Sequence, residues 1–402
     1  MSIRHIADLP RGDHCSSDDG IHTVRTPATT TSATDTGVSA ATHERLTALL
    51  ERYAARRRMH HVSLALASGD GRQHWAGACG PAAADPPLHP QTPFFVASIT
   101  KRFIITLVLQ ADERGELDLD APITSYLPEQ VTTGLHVLDG TDRTAAITVR
   151  HLASHTSGLP DFFERRRGEP SVNQHLGAGT DVGWTFEDVL DITRSQQRPH
   201  FRPQDLSAAR QRARYSDTGF QLLIQILQAI SGRTFAELLT ARILEPLDLR
   251  HTWLPGDLPP APDTPAPLPL HAGRRPVQLP ALIAATNDLV STTADLLKFQ
   301  RALLAGELFE HAGTADLLTE RRNRLANIPV LEYGLGTMFF TVNRLLSPTA
   351  SPLTLVGHSG GTGTWLFHCP ELDVHLAGTV DQTNGRAIPF RLMARCLRIW
   401  GS

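Results

Sequence analysis

Lysine is almost absent from this 402-residue sequence: among its 38 lysine and arginine residues, only Lys101 and Lys298 are lysine. Arginine keeps its positive charge in proteins, whereas a buried lysine can lose a proton and act as a base. A chain that uses arginine almost everywhere is expected to keep lysine where a guanidinium would fail. Lys101 lies among the apolar residues of segment 94–105, and burial lowers the pKa of a lysine. We therefore predict that Lys101 is a catalytic amine.

Other scarce features exclude several classes of protein. The formal net charge is only −3, so no basic face for nucleic acid is indicated, and a small-molecule or short-peptide substrate fits best. No window approaches 18 uninterrupted apolar residues, and residues 1–20 lack a signal-peptide core; no membrane span and a cytoplasmic location are predicted. The oligomeric state is not indicated.

The cysteines have neither metal-site spacing nor disulfide density, which favours free thiols in a reducing compartment; they are Cys15, Cys79, Cys369 and Cys396.

Hydrophobic periodicity predicts strands towards both ends of the chain and helices between them. Residues 1–42 are rich in Ser, Thr, Asp and Ala without periodicity, which favours a flexible leader. Residues 43–400 are predicted to form one domain, with a sheet lobe from 43–120 and 281–400 and a mostly helical lobe from 121–280. The expected fold class is α+β, an α/β sandwich whose antiparallel sheet is built from both chain ends and flanked by helices. A ligand cleft is expected between the lobes.

Individual elements are predicted from the same patterns. One predicted helix begins at about residue 43. Further predicted helices cover 98–114, 188–195, 215–231, 293–304 and 389–400. The predicted strands are 61–67, 73–79, 333–342, 353–357, 364–369 and 374–380. The Pro-rich stretch 254–280 is interpreted as a long loop.

Ser98 lies three residues before Lys101, at the start of the predicted helix 98–114. The hydroxyl and the amine therefore share one helical face and can approach within hydrogen-bond distance, as an activated nucleophile requires. In a chain with two lysines, the chance that one of them has a serine three positions upstream is on the order of one in ten at average serine usage. The alternative interpretation is an ordinary surface lysine.

A second candidate group, Tyr215-Ser216-Asp217, directly precedes a predicted apolar helix. A tyrosine at such a junction can point its hydroxyl into a cleft, where a nearby ammonium favours the phenolate and makes Tyr215 a candidate general base. The alternative is a tyrosine that only packs beside the start of the helix.

A third candidate group, His358-Ser359-Gly360-Gly361, follows the predicted strand 353–357. Glycines allow close backbone approach, so a substrate carbonyl can lie along this strand edge and accept an N–H. The imidazole can donate to the substrate or to the oxygen of Tyr215. The alternative is a Gly-rich hairpin with an incidental histidine.

Taken together and in this order, the three groups resemble the motifs of the penicillin-recognising serine hydrolases, which include serine β-lactamases, DD-carboxypeptidases and related esterases. Segment 98–101 is similar to the Ser-x-x-Lys motif, 215–217 to Tyr-x-Asn and 358–360 to Lys-Thr-Gly. The resemblance covers about residues 45–400 and implies a β-lactamase/transpeptidase-like fold without metal or organic cofactor. Segments 151–160, 287–292 and 333–336 resemble the class C and esterase branch, and we interpret them, with His155, as structural.

The sequence departs from the family pattern at two positions. Asp217 replaces the asparagine that recognises a substrate amide carbonyl, and an ionised carboxylate cannot donate that hydrogen bond. His358 replaces lysine and weakens the fixed charge that would bind a substrate carboxylate. The resemblance assigns substrate binding to Asp217, Ser359 and Gly360, and the two departures favour carboxylate-free esters and amides over β-lactams.

The resemblance implies a mechanism through an acyl-enzyme. Ser98 attacks the carbonyl while Lys101 and Tyr215 share the removal of its proton, and the backbone N–H groups of Ser98 and Gly361 form the oxyanion hole. Tyr215, assisted by Lys101 and His358, then protonates the leaving group and activates water. The predicted function is a carboxylesterase, a D-amino-acid peptidase or a weak β-lactamase.

Two alternatives stay open. A cytoplasmic acyltransferase or peptide-cyclising thioesterase would use the same site with an alcohol or amine acceptor. A catalytically weak binding or sensor protein on the same fold would fit the Asp217 departure, although the retained Lys101 argues against it.

Overall fold

The computed structural model describes residues 29–401 except 57–58, 82–87, 165–167, 257–260 and 263. The strands, in chain order, are β1 (Thr29–Thr36), β2 (Val62–Ser68), β3 (His74–Pro81), β4 (Phe94–Phe95), β5 (Val137–Leu138), β6 (Thr141–Asp142), β7 (Leu270–Ala272), β8 (Arg275–Val277), β9 (Val290–Ser291), β10 (Asn323–Arg324), β11 (Leu331–Tyr333), β12 (Met338–Val342), β13 (Leu353–Ser359), β14 (Thr364–Cys369) and β15 (Val374–Thr379).

The α-helices separate the two groups of long strands. They are α1 (Ala40–Ala54), α2 (Thr100–Glu113), α3 (Glu129–Thr132), α4 (Val149–Ala153), α5 (Val172–Ala178), α6 (Phe186–Asp191), α7 (Asp217–Ser231), α8 (Phe235–Leu239), α9 (Pro280–Thr286), α10 (Thr293–Leu304) and α11 (Ile388–Trp400).

Nine of the described strands form one sheet in the order β1-β3-β2-β15-β14-β13-β12-β11-β10. Every neighbouring pair in this sheet is antiparallel. The two parts of the chain meet where β2 pairs with β15, with Ser63 opposite Thr379. The predicted antiparallel sheet built from both chain ends and flanked by helices is therefore confirmed.

Both faces of the central strands are buried, because helices cover each side of the sheet. On β2, Leu64 and Leu66 belong to the core beneath α1 and α11, whereas Ala65 and Ala67 belong to the core that contains α2, α7 and α10. Successive strand residues point to opposite faces, so the Leu-Ala alternation assigns each residue type to one side. The alanines leave room for α10 to pack closely on β2 and β15.

The structure differs from the prediction at the N-terminal end. Residues 29–36, which the composition assigns to the leader, form the edge strand β1 in register with β3. Its side chains are exposed or half-buried, and Thr31 donates to the Cys79 sulfur at 3.2 Å. An edge strand with so little buried surface has no apolar alternation, but β-branched threonine suits it. Residues 1–28 of the predicted leader lie outside the described part of the chain.

Three further elements depart from their predicted form. The helix predicted for 98–114 begins as a 3-10 turn at Ala97–Ile99 before α2. The strand predicted for 333–342 is divided into β11 and β12 by a turn in which Gly336 has φ +53° and packs against Ile105. The predicted loop 254–280 contains the β7–β8 hairpin.

Within the described ranges, no single helix is both long and apolar enough to cross a membrane. The bent pair Asp217–Ser231 and Phe235–Leu244, which meets at 81°, satisfies the length and composition limits only when the two are taken together. Cys79, Cys369 and Cys396 are buried free thiols, as predicted. Cys15 lies outside the described residues.

Candidate active site

Ser98 occupies the 3-10 turn that precedes α2. The residue before it, Ala97, has φ +51°, a left-handed conformation that is unfavourable for a residue with a side chain. The hydroxyl of Thr100 holds this turn by donating to the Ala97 carbonyl at 2.8 Å and accepting from the N–H of Leu289 at 2.9 Å. The surrounding structure therefore fixes the backbone that presents Ser98.

The end of β13 lies directly against this turn because of a glycine. A Cβ atom on Gly360 would lie 2.8 Å from the Val96 carbonyl oxygen and 2.9 Å from the Ala97 Cβ atom. The Thr364 hydroxyl also donates to the Val96 carbonyl at 2.8 Å. Gly360 thus permits the contact that places the strand edge beside the turn that presents Ser98.

The side chain of Lys101 joins Ser98 to Asp217. Its Nζ atom donates to the Ser98 Oγ atom at 3.1 Å and contacts the Asp217 carboxylate, while the residue is only 4% exposed. Burial acts to lower the pKa of Lys101, but Asp217, Tyr215 and Asp288 raise it well above its usual value. The expectation of a lowered lysine pKa was wrong, because the sequence analysis did not identify the carboxylate that pairs with the amine.

This pair gives Asp217 a contact that the sequence analysis did not identify. The carboxylate lines the cavity and pairs with Lys101. Asp217 is the first residue of α7, where the positive end of the helix dipole favours a negative charge. The local chain thus stabilises an ionised Asp217 beside an ionised Lys101.

Tyr215 ends the loop before α7 and faces the same group of side chains. Burial and Asp217 raise the pKa of Tyr215 above its usual value, although Lys101 and hydrogen bonds to Ser98 and Lys101 act in the opposite direction. The resting tyrosine is therefore a neutral phenol rather than the expected phenolate.

Asn327, which the sequence analysis did not identify, holds the backbone of Tyr215 on both sides. Its Oδ1 atom accepts the Tyr215 N–H at 3.0 Å, and its Nδ2 atom donates to the Tyr215 carbonyl at 3.2 Å and to Glu164 at 3.1 Å. No periodicity or spacing connects residue 327 with residue 215, so the sequence carried no signal for this contact.

The structure places the imidazole of His358 away from the cavity. The residue is fully buried; its Nδ1 atom lies 2.9 Å from the Ser359 carbonyl oxygen and its Nε2 atom 2.9 Å from the Tyr333 hydroxyl. Donation from Nδ1 to the carbonyl leaves Nε2 to accept from the tyrosine. Burial and the charge of Lys101 hold the pKa of His358 well below its usual value. The expected contact of this imidazole with substrate is therefore replaced by an internal hydrogen bond.

His155 also lies behind the cavity. It accepts the Ser216 N–H at 3.3 Å, and its ring lies 4.4 Å from the Tyr215 ring and 4.3 Å from the Tyr333 ring, between centroids. These contacts agree with a packing role in support of Tyr215.

A cavity of about 330 Å³ opens at these residues. Its wall includes every sequence-predicted site residue except His358, namely Ser98, Lys101, Tyr215, Asp217, Ser359, Gly360 and Gly361. A Cβ atom on Gly361 would have no neighbour closer than 4.0 Å, so the backbone there is open to a ligand. The expected cleft is present, and it is large enough for a small molecule.

The cavity wall is richer in carboxylates than the sequence analysis predicted. Asp288 is half-buried there, and desolvation raises its pKa to about 6 although Lys101 acts to lower it. Asp161 is also buried, and burial together with Asp217 raises its pKa well above the usual value. Among the described residues, the group with metal-ligand spacing lies on β14 and β15, away from this wall.

Comparisons with known proteins agree with the ordered motifs. A family model described as Beta-lactamase matches residues 46–389. Esterase EstB of Burkholderia gladioli is 29% identical over 164 residues, which cover 41% of this chain and 39% of the esterase. Monacolin J acid methylbutanoyltransferase of Aspergillus terreus is 40% identical over 103 residues, which cover 23% of this chain and 24% of that protein. The chain thus matches less than two thirds of the length of these curated relatives.

Solved structures show the same fold over nearly the whole chain. A D-stereospecific amidohydrolase from Streptomyces sp. superposes with a TM-score of 0.67 at 25% identity, covering 87% of this chain and 97% of that one. The family match spans every strand of the large sheet except β1, together with the helical segment and all three motifs. The chain therefore belongs to the Beta-lactamase family of serine hydrolases.

Proposed function

We propose that this protein hydrolyses esters or amides through an acyl-enzyme on Ser98. The observation that carries the proposal is the 3.1 Å contact between the Ser98 Oγ atom and the Lys101 Nζ atom on the cavity wall. A hydroxyl within hydrogen-bond distance of an amine, beside a neutral phenol, has the geometry of an activated nucleophile. Gly361 and Ser98 offer backbone N–H groups to the substrate carbonyl oxygen as it becomes an oxyanion.

The protonation of Lys101 in the resting site suggests how Ser98 is deprotonated. Asp217 keeps Lys101 as an ammonium, so the amine must first release a proton before it accepts one. We propose that Lys101 passes a proton to Asp217 as it takes the proton of Ser98. Tyr215 then donates its proton to the leaving group and recovers one from Lys101, and Asp217 returns its proton to the amine. Deacylation by water repeats these transfers in reverse.

The charges of the cavity wall support neutral substrates. Four carboxylates face the cavity, while its basic residues are Lys101 and Arg386. Lys101 is already paired with Asp217, and His358 is neutral and buried. Carboxylate-free esters and amides therefore meet less repulsion than β-lactams, which carry a carboxylate.

One observation favours a second candidate substrate class, peptides with a free carboxylate. Arg386 lies beside Gly361, with its Nε atom 4.0 Å from where a Cβ atom on Gly361 would be, and its described hydrogen bond goes to the neutral side chain of Asn173. A guanidinium at this point could bind the carboxylate of a D-amino-acid peptide. Arg386→Gln would then raise KM for the peptide at least about tenfold and leave the matched amide unchanged. The control is Arg391→Gln, at an exposed position on α11.

An acyltransferase acting on an alcohol acceptor remains the other alternative, since the methylbutanoyltransferase of Aspergillus terreus shares 103 aligned residues with this chain. Product analysis with an acyl donor and increasing alcohol would distinguish the two activities, because a transferase partitions the acyl group to alcohol at concentrations far below that of water.

The central test is covalent labelling of Ser98. A fluorophosphonate probe should label the wild type and fail to label Ser98→Ala, while the melting temperature of the variant stays unchanged. Ser359→Ala removes a second hydroxyl from the same cavity wall and should keep the label. Label retained by folded Ser98→Ala would contradict the proposal.

A further inference from the structure

The far end of the β14–β15 hairpin carries a cluster of potential metal ligands. His368 on β14 and His375 on β15 are directly opposite each other, with ring centroids 4.3 Å apart. Asp373, in the connection between the strands, has its Oδ1 atom 3.3 Å from the His368 Nε2 atom. One ligand atom from each of the three residues lies within 4.8 Å of the others.

The most buried member of this cluster lacks a hydrogen-bond partner. His375 is 4% exposed, and its Nδ1 atom is buried without a partner among the described residues. A buried polar atom left unsatisfied costs free energy, so such an atom in a native structure calls for a ligand or a water. The Asp373 side chain is 70% exposed, and the cluster therefore opens to solvent on one side.

The turn between β2 and β3 packs against Asp373. A Cβ atom on Gly69 would lie 2.1 Å from the Asp373 Oδ1 atom, so the glycine leaves room for the carboxylate at this place. The Gly69 N–H also donates to the Asp373 carbonyl at 2.9 Å. The backbone of Asp373 is thus held beside the histidines by a second part of the sheet.

The charges around the cluster suit a cation. A neutral imidazole nitrogen is the form that binds a metal ion, and the cluster offers one from His368 and one from His375. Asp373 and Glu371 supply negative charge, and Arg301 opposes it in part.

We propose that His368, Asp373 and His375 bind a divalent transition-metal ion such as Zn²⁺. Two imidazole nitrogens and one carboxylate oxygen are a ligand set that Zn²⁺ accepts, with water from the open side as the fourth ligand. The bound ion would tie β14 to β15 at the end of the hairpin opposite the Gly360–Gly363 turn. Its expected effect is on the stability of the sheet.

The test uses the full chain, stripped of metal with EDTA, and measures thermal unfolding and calorimetric titration with Zn²⁺. We expect Zn²⁺ to raise the melting temperature of the wild type and Mg²⁺ to leave it unchanged. His368→Ala and Asp373→Asn should each raise the Zn²⁺ dissociation constant at least about tenfold, since even outer-sphere partners contribute that much. His311→Ala, at an exposed histidine outside the cluster, should bind Zn²⁺ like the wild type.

His375→Ala is a weaker variant for this test, because loss of a buried side chain can unfold the protein by itself. The His368 and Asp373 substitutions alter more exposed groups and keep the experiment decisive. A wild type without any Zn²⁺-dependent shift would overturn the proposal. An equal shift in wild type, His368→Ala and Asp373→Asn would also overturn it, since the ion would then bind elsewhere on the chain.

Discussion

The ammonium group of Lys101 contacts the carboxylate of Asp217 at the start of α7, and this carboxylate helps to raise the pKa of Lys101. The Lys101 amine is held as an ammonium because the Asp217 carboxylate lies beside it. In the proposed mechanism, Ser98 depends on both partners for its proton transfers.

Asp217→Asn should therefore lower the pKa of Lys101 and remove the proposed proton acceptor. We expect kcat for p-nitrophenyl esters at pH 7 to fall about 100-fold, the lower range of general acid–base effects, with little change in KM. Asp288→Asn, at another carboxylate of the cavity wall, is the matched control and should have a smaller effect. Unchanged ester turnover with a raised nitrocefin-to-ester ratio of kcat/KM would instead return Asp217 to a substrate-binding role.

Lys101→Arg should be nearly as damaging as Lys101→Ala. A guanidinium can pair with Asp217, but it cannot release and recover a proton at neutral pH. Lys298, the other lysine in the sequence, is exposed and donates to the Asp248 carbonyl, so Lys298→Arg should leave kcat/KM unchanged. Near-normal turnover of Lys101→Arg would show that charge alone suffices.

Asn327 is proposed as a positioning residue for Tyr215. Asn327→Ala should lower kcat by more than it raises KM and should change the pH dependence of kcat, because it frees the backbone that orients the phenol. Asn323 provides a close control: it accepts the Gln211 N–H at 2.9 Å on the same pair of segments, away from the nucleophile. Equal losses in Asn323→Ala and Asn327→Ala would indicate a structural effect only.

Asp381 should make the free energy of unfolding fall as pH rises towards about 8. Burial raises the pKa of Asp381 to about 8, and its Oδ2 atom lies 4.0 Å from the His61 Nδ1 atom without a hydrogen bond. The folded pKa exceeds the unfolded value of about 3.9, so this contribution is fully present below about pH 4 and is lost as pH rises through about 8. His61, with a pKa lowered to about 4, changes stability only below about pH 6.5.

The measurement is the melting temperature between about pH 6.5 and about pH 8.5. Wild type should lose stability across this window, by at most about 1.4 kcal/mol per pH unit from this group, and Asp381→Asn should lose less. Asp118→Asn, at an exposed carboxylate, should follow the wild type. Parallel pH profiles for wild type and Asp381→Asn would mean that Asp381 does not hold its proton in the folded state.

The sequence was informative where the chain contacts itself locally. Ser98 and Lys101 are one helical turn apart, so their contact followed from helix geometry. The partner of Lys101 was missed because the Asp217 carboxylate reaches it only through the packing of α2 on α7.

The wrong expectation for His358 has a similar origin. Motif spacing placed the residue at the strand edge, but alternation along β13 directs its ring to Tyr333, which is on another strand. Asn327 and Gly69 also act through distant segments, and no local pattern encodes such contacts. Strand β1 was missed because an edge strand needs little apolar surface.

The pairing of β2 with β15 has a consequence for biosynthesis. Ser63 and Thr379 are adjacent in the sheet, and the turn that presents Ser98 is held by Thr364 on the neighbouring strand. During translation, β2 cannot pair with β15, and the turn that presents Ser98 cannot be fixed, until the late strands have been synthesised. Closing so long a loop is entropically costly and slow, and the apolar β2–β3 ribbon stays unpaired on one edge meanwhile. A nascent chain of this protein should depend on chaperones until its last strands leave the ribosome.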